Sequence, residues 1–105
     1  METFNDNDFD TKVKNAHVAI IQFSASWCAP CRQLTPVLKS LSQDDQFKDY
    51  LFMYADIEDA GINTASAMGI RSVPCTICYK KGVEVDRMLG FPGEASVREF
   101  LSKNC

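Results

Sequence analysis

Five cysteines are the residues of this 105-residue chain most able to do chemistry. Two of them, Cys28 and Cys31, bracket Ala29-Pro30 in a C-x-x-C pattern. The pattern alone is weak evidence, and its surroundings strengthen it. It follows Val18-Ala19-Ile20-Ile21-Gln22-Phe23, an apolar, β-branched run too short for a helix, which reads as a fully buried strand. It precedes Leu34, Val37, Leu38 and Leu41, spaced i, i+3, i+4, i+7 as on the buried face of a helix. The pair therefore stands where a strand gives way to a helix. This spacing puts Cys28 at the N-cap and Cys31 at the third helical position. The Cys28 sulfur can then accept from the Cys31 backbone N–H while facing the positive end of the helix dipole. Pro30 has no N–H to donate, which is harmless in a first turn and stiffens the loop. Acidification of the first thiol in such a setting is a known property of C-x-x-C pairs. The thiolate attacks disulfides, and a second cysteine one turn away can resolve the mixed disulfide that forms.

The other three cysteines divide by position. Cys75-Thr76-Ile77-Cys78 is formally a second C-x-x-C, so a four-cysteine zinc or iron–sulfur site has to be weighed. The two pairs are much further apart than in compact zinc ribbons. Residues i and i+3 of a strand also point to opposite faces, so no metal site is expected. Cys78 reads as a buried core residue, the usual place of a free cysteine. Cys105, last in the sequence, reads as a mobile end and a possible regulatory thiol. His17, the one histidine, reads as a solvated residue beside a strand start rather than a catalytic base.

The elements that must hold the pair follow from the rest of the pattern. Phe9, Val13 and Ala16 predict a short helix within residues 8–16. Pro36 lies inside the helix that follows the cysteines and predicts a kink. Leu51-Phe52-Met53-Tyr54-Ala55 reads as a strand, and Ile62, Ala65 and Met68 as a short helix ended by Gly69. Cys75-Thr76-Ile77-Cys78-Tyr79 is a strand, and Lys80-Lys81-Gly82 turns into another, in which Val83 and Val85 alternate with Glu84 and Asp86. Val97, Phe100 and Leu101 mark a closing helix after Gly93, with Glu94 in its first turn and Lys103 in its last, as the macrodipole prefers. Alternating strands and helices followed by a hairpin imply an α/β fold, a mixed sheet with helices on both faces.

Composition bounds the partners. With 46% hydrophobic and 24% charged residues, residues 1–105 are expected to form a single globular domain. A net charge of −3 argues against nucleic acid or an anionic membrane as the main partner. No apolar run reaches the roughly 20 residues of a membrane span. Residues 1–6 lack the basic start and apolar core of a signal peptide, so a cytoplasmic location is expected. In a reducing compartment, cysteines that occur in motifs are catalytic or metal-binding more often than structural.

Taken whole, the chain resembles the thioredoxin family. The resemblance rests on Phe23-Ser24-Ala25-Ser26-Trp27-Cys28-Ala29-Pro30-Cys31, on Pro36, and on Ala55-Asp56-Ile57. It extends through Gly69-Ile70-Arg71-Ser72-Val73-Pro74, the Lys80-Lys81-Gly82 turn, Gly90 and the closing helix. It implies the thioredoxin fold, a central five-stranded mixed sheet flanked by four helices, with a first strand near residues 2–4. It implies that Pro74 is cis and packs against the cysteine pair. It also implies that Trp27, Ala29, Val73, Pro74, Gly90 and Phe91 form a shallow apolar surface around Cys28, where a disulfide-bearing polypeptide bonds to the Val73 backbone. Cys75 follows Pro74 where the family usually has threonine, which makes it a second possible regulatory thiol near the pair.

The expected activity is reduction of protein disulfides through a Cys28/Cys31 dithiol–disulfide cycle. An NADPH-fed thioredoxin reductase is the implied electron donor, no bound cofactor is implied, and a monomer is expected. The alternatives are a more oxidising exchange protein and a binding module whose docking follows its redox state. Two departures from the family fall in the site. Ala29 replaces glycine, a mild change that restricts the loop. Gln22 replaces a buried aspartate, so a group that repels a thiolate and carries protons gives way to one that can only hydrogen-bond. Cys28 is therefore expected to titrate lower than in a Gln22→Asp variant, and the protein to be a weaker reductant.

Overall fold

The central strand is the apolar run before the cysteines. In a computed structural model describing residues 1–105, β2 (Val18–Ser24) is buried at six of its seven positions. Such a strand needs a neighbour on each edge and a layer of side chains on each face. Its parallel neighbour is β3 (Leu51–Asp56) and its antiparallel neighbour is β4 (Cys75–Lys80). The two-residue β1 (Glu2–Thr3) pairs parallel with β3 at one edge, and β5 (Val83–Leu89) pairs antiparallel with β4 at the other. The order β1-β3-β2-β4-β5 is the five-stranded mixed sheet that the family resemblance implies; the residue pattern alone does not mark β1.

Alternation along β2 sends its side chains into two separate cores. Ala19, Ile21 and Phe23 face α1 (Phe9–Asn15) and α3 (Ile62–Ala67), where they meet Phe9, Val13 and Ala65. Phe4 lies 5.0 Å from Phe9 and 5.7 Å from Phe23, ring to ring, and so pins the chain entering α1 to the sheet. Val18 and Ile20 face α2 (Ala29–Ser42) and α4 (Glu94–Asn104), where they meet Leu34, Leu38, Leu41, Val97, Phe100 and Leu101. The helical spacing of those leucines is what gives α2 its buried stripe. No helix is long and apolar enough to cross a membrane.

Local chemistry ends each element where the sequence suggests. Gly69 closes the turn after α3 at φ 69°, in the left-handed region where a side chain is strained. Lys81 and Gly82 join β4 to β5 with φ of 52° and 82°, the paired positive angles of a two-residue hairpin turn. α2 runs unbroken through Pro36, which has no N–H to offer the Arg32 carbonyl. The first turn of α3 is capped from far away in sequence. Asp6 accepts from the Asn63 and Thr64 backbone N–H groups at 3.0 and 2.8 Å, which holds its carboxyl below the usual carboxylate range. The alternation in β5 makes a strand but not a covered face. Val83 and Val85 are 64% and 45% exposed because β5 is an edge strand, and of its apolar residues Met88 is the one that packs on the α2–α4 core.

Candidate active site

β2 delivers the chain to Ser24, and a short turn, in which Cys28 N–H donates to the Ala25 carbonyl, brings it to the start of α2. Cys28 is the N-cap, with extended backbone (φ −89°, ψ 108°), and its Sγ accepts from the Cys31 N–H at 3.2 Å. The expected sulfur cap is therefore present. The two cysteines are joined as a disulfide with their Cα atoms 5.3 Å apart. Both are nearly covered, at 3% and 2% exposure, and they pack with Ala25, Ile57 and Val73 in a small cluster of their own. The Arg32 guanidinium reaches back to the Ser26 carbonyl at 2.8 Å and ties the first turn to the loop before it.

Around this pair the surface is open. Trp27 is 64% exposed, and its ring Nε1 donates to Glu58. Ala29 and Pro30 are exposed, Val73 is half-buried against the cysteines, and Pro74 is buried after a cis peptide bond. The Pro74 carbonyl accepts from the Gly90 N–H at 2.8 Å, which fixes the end of β5 beside the proline loop. Phe91 is half-buried and packs against the α2–α4 core. The structure thus draws Trp27, Ala29, Pro30 and Val73 to the cysteines, and attaches Gly90 through Pro74.

Beneath Cys31 lies a buried polar floor. Gln22 has no exposed surface. Its Nε2 donates to the Cys31 carbonyl at 3.5 Å, and its Oε1 accepts from the Thr35 hydroxyl at 3.1 Å. That hydroxyl also reaches the Cys31 carbonyl at 2.9 Å. Thr76, directly across from Gln22 in the β2–β4 register, is buried and its hydroxyl has no hydrogen-bond partner. Gln22 thus lies beneath Cys31, the place that the family resemblance implies for it. Thr35 and Glu58 were not foreseen. Thr35 carried a readable signal, a polar residue four positions after Cys31 on the same helical face. Glu58 carried none, because its contact with Trp27 spans two elements.

The remaining cysteines are now located. Cys75 lies opposite Phe23 in the core under α1 and α3, 1% exposed, and burial holds its thiol above the ordinary value. It also lines a groove of about 340 Å³ between residues 69–72 and Arg87 and Leu89. Cys78 is fully buried in the other core, so Cys75 and Cys78 do face opposite sides of the sheet. The expectation of a mobile Cys105 is corrected. It caps the end of α4, half-buried against the same core as Cys78. The reason is the helical period: positions 97, 101 and 105 fall on one face, so Cys105 continues the buried stripe of Val97 and Leu101. His17 is exposed, as expected, with its carbonyl accepting from Lys81 N–H.

Comparison with known proteins agrees with this geometry. A model of the thioredoxin family matches residues 1–103. The thioredoxin of Staphylococcus aureus is 35% identical over 99 residues, covering 94% of this chain and 92% of that protein. Among solved structures, Plasmodium falciparum thioredoxin superposes with a TM-score of 0.89 at 23% identity, covering the whole of both chains. Fasciola hepatica thioredoxin does so with a TM-score of 0.87 at 24% identity, again covering both in full. These last two speak for the fold alone, whereas the family match and the bacterial relative speak for descent. A disulfide-capable pair at the start of α2, on that fold and with those relatives, means that this chain belongs to the thioredoxin family, a family of disulfide oxidoreductases.

Proposed function

We propose that the chain acts as a single domain that reduces disulfides in other proteins. The observation that carries this reading is the cap itself. The Cys28 sulfur is held by the Cys31 N–H at the positive end of a 14-residue helix, and Cys31 stands one turn away, close enough to bond to it. A helix N-terminus stabilises negative charge, so it favours the Cys28 thiolate of the reduced protein.

In the proposed cycle the Cys28 thiolate attacks one sulfur of a substrate disulfide. The substrate S–S bond breaks, one substrate thiolate leaves, and a mixed disulfide forms at Cys28. Cys31, deprotonated, then attacks the Cys28 sulfur. This releases the second substrate thiolate and leaves the Cys28–Cys31 disulfide. Two electrons pass to the substrate, and the two protons of the dithiol are taken up by the departing thiolates. Trp27, Ala29, Pro30, Val73, Pro74, Gly90 and Phe91 are proposed as the docking rim, with the Val73 backbone pairing with an extended substrate. Gln22 is proposed to orient the Cys31 carbonyl from below. An NADPH-fed thioredoxin reductase would restore the dithiol, with no cofactor held by this chain. A monomeric protein in the cytoplasm fits this role.

Insulin reduction coupled to NADPH and a thioredoxin reductase tests the reading. Turnover is expected for the wild type, and Cys31→Ser is expected to stall as a mixed disulfide with the substrate through Cys28. A wild type that binds insulin without reducing it would instead identify a docking module.

A further inference from the structure

Two thiols outside the site meet in the α2–α4 core, on the same face of the sheet as Gln22. Cys78 sits in the middle of β4, opposite Ile20 of β2, and points into the core formed with α2 and α4. Cys105 arrives at the same core from the end of α4, carried there by the stripe of Val97 and Leu101. Their thiols are neighbours in this core, and each is the chief influence on the ionisation of the other. Neither packs in the Cys28–Cys31 cluster.

We propose that Cys78 and Cys105 are a second dithiol–disulfide couple, whose oxidation by a small-molecule disulfide such as oxidised glutathione bolts the end of α4 to β4. Accessibility assigns the roles. Cys78 has no exposed surface, whereas Cys105 is only half-buried, so Cys105 meets the oxidant and Cys78 resolves. Cys105 attacks one sulfur of oxidised glutathione as its proton passes to the neighbouring Cys78 thiolate. That S–S bond breaks, and one glutathione thiolate leaves. Cys78, deprotonated again, then attacks the Cys105 sulfur, forming the Cys78–Cys105 bond and releasing the second glutathione thiolate. The protein loses two electrons and two protons, which convert one oxidised glutathione into two reduced ones.

The thiol pair is prepared for such a step. Contact with Cys105 favours ionisation at Cys78, and the same contact together with burial opposes it at Cys105, so Cys78 is the member of the pair suited to take the Cys105 proton. The bond would close a chain segment that contains all of β5 and α4. Oxidation would then alter the firmness of the C-terminal helix without touching the Cys28 cap.

The test starts from fully reduced wild-type protein, treated with oxidised glutathione, quenched with alkylating reagent and weighed intact. The expected product is lighter by four hydrogens, with peptide mapping linking Cys78 to Cys105 as well as Cys28 to Cys31. Cys105→Ser is expected to lose two hydrogens. In a Cys28→Ser/Cys31→Ser background the loss is expected to be two, and it should vanish when Cys105→Ser is added. A wild type that loses only two hydrogens overturns the proposal. So does one that keeps glutathione on Cys105, or one that forms dimers through it. The wild-type measurement does not depend on whether the multiple variants fold.

Discussion

The polar floor beneath the cysteines makes an asymmetric prediction for the variants Thr35→Val and Gln22→Leu. The Thr35 hydroxyl shares its one proton between two acceptors, Gln22 Oε1 at 3.1 Å and the Cys31 carbonyl at 2.9 Å. Thr35→Val removes both bonds at once. The Cys31 carbonyl keeps the Gln22 amide, but Gln22 Oε1 is left without a donor in a side chain that has no exposed surface. A buried acceptor stripped of its partner costs about 1–3 kcal/mol. Gln22→Leu removes the acceptor itself and leaves the Thr35 hydroxyl bonded to the Cys31 carbonyl, so its cost is expected to be about 1 kcal/mol or less. The double variant should then resemble Gln22→Leu alone, so the coupling in the cycle equals the Thr35→Val cost, about 1–3 kcal/mol. Urea unfolding of the reduced protein measures this, followed by far-ultraviolet circular dichroism because Trp27 is too exposed to report on the core. With a slope of about 1.5 kcal/mol per molar urea, a 2 kcal/mol loss moves the midpoint by about 1.3 M. A Thr35→Val variant within about 0.5 kcal/mol of wild type would refute the argument. Strict additivity in the double variant would refute it as well.

Three further outcomes are expected. Gln22→Asp puts a carboxylate in the same buried position, where its like charge opposes a nearby thiolate, so the apparent thiol pKa should rise. Thiolate absorbance against pH measures this, and an unchanged or lower value in the variant counts against it. Thr76→Val deletes a buried hydroxyl that bonds to nothing and should stabilise the fold by about 1 kcal/mol, read as a later urea midpoint. A loss of that size would mean the hydroxyl is partnered in solution. Asp6 titrates low because it accepts from the Thr64 and Asn63 backbone. Its contribution is therefore complete above the unfolded-state pKa and disappears as pH falls through the lower folded-state value. Asp6→Asn should lower the melting temperature at neutral pH, with the two proteins converging in acid; a constant gap down to the lowest pH would contradict this.

How much of this was written in the sequence depends on the range of the interaction. The cap of Cys28 by the Cys31 N–H is local: strand, turn and helix were each legible, so the geometry followed from spacing. The same holds for the leucine stripe of α2 and the Lys81-Gly82 turn. Gln22 under the pair needed the family resemblance, since periodicity alone places a residue on a face but not beneath a particular neighbour. The exposure of Val83 and Val85 was hidden because alternation cannot tell an edge strand from a covered one. Cys105 was misread for a simpler reason. Ends of chains are commonly loose, yet here the helical stripe through Val97 and Leu101 extends to the last residue and carries it into the core. The Asp6 cap on α3 and the Trp27–Glu58 contact join distant parts of the chain, and no local pattern announces them.

Pro36 has a consequence for motion. Without its N–H, α2 lacks a rung between the turn that carries the cysteines and the stretch that fills the core. Residues 28–35 are held instead by side chains: the Cys28 sulfur, the Gln22–Thr35 floor and the Arg32 reach to Ser26. Leu34, Leu38 and Leu41, fully packed, open only when the whole fold opens, whereas the first turn, where Ala29 and Pro30 are exposed, can open by itself. Amide hydrogen exchange along α2 is therefore expected to divide between its first turn and Leu34. The slow part reads the stability of the fold, and the fast part reads the redox state of the cysteine pair.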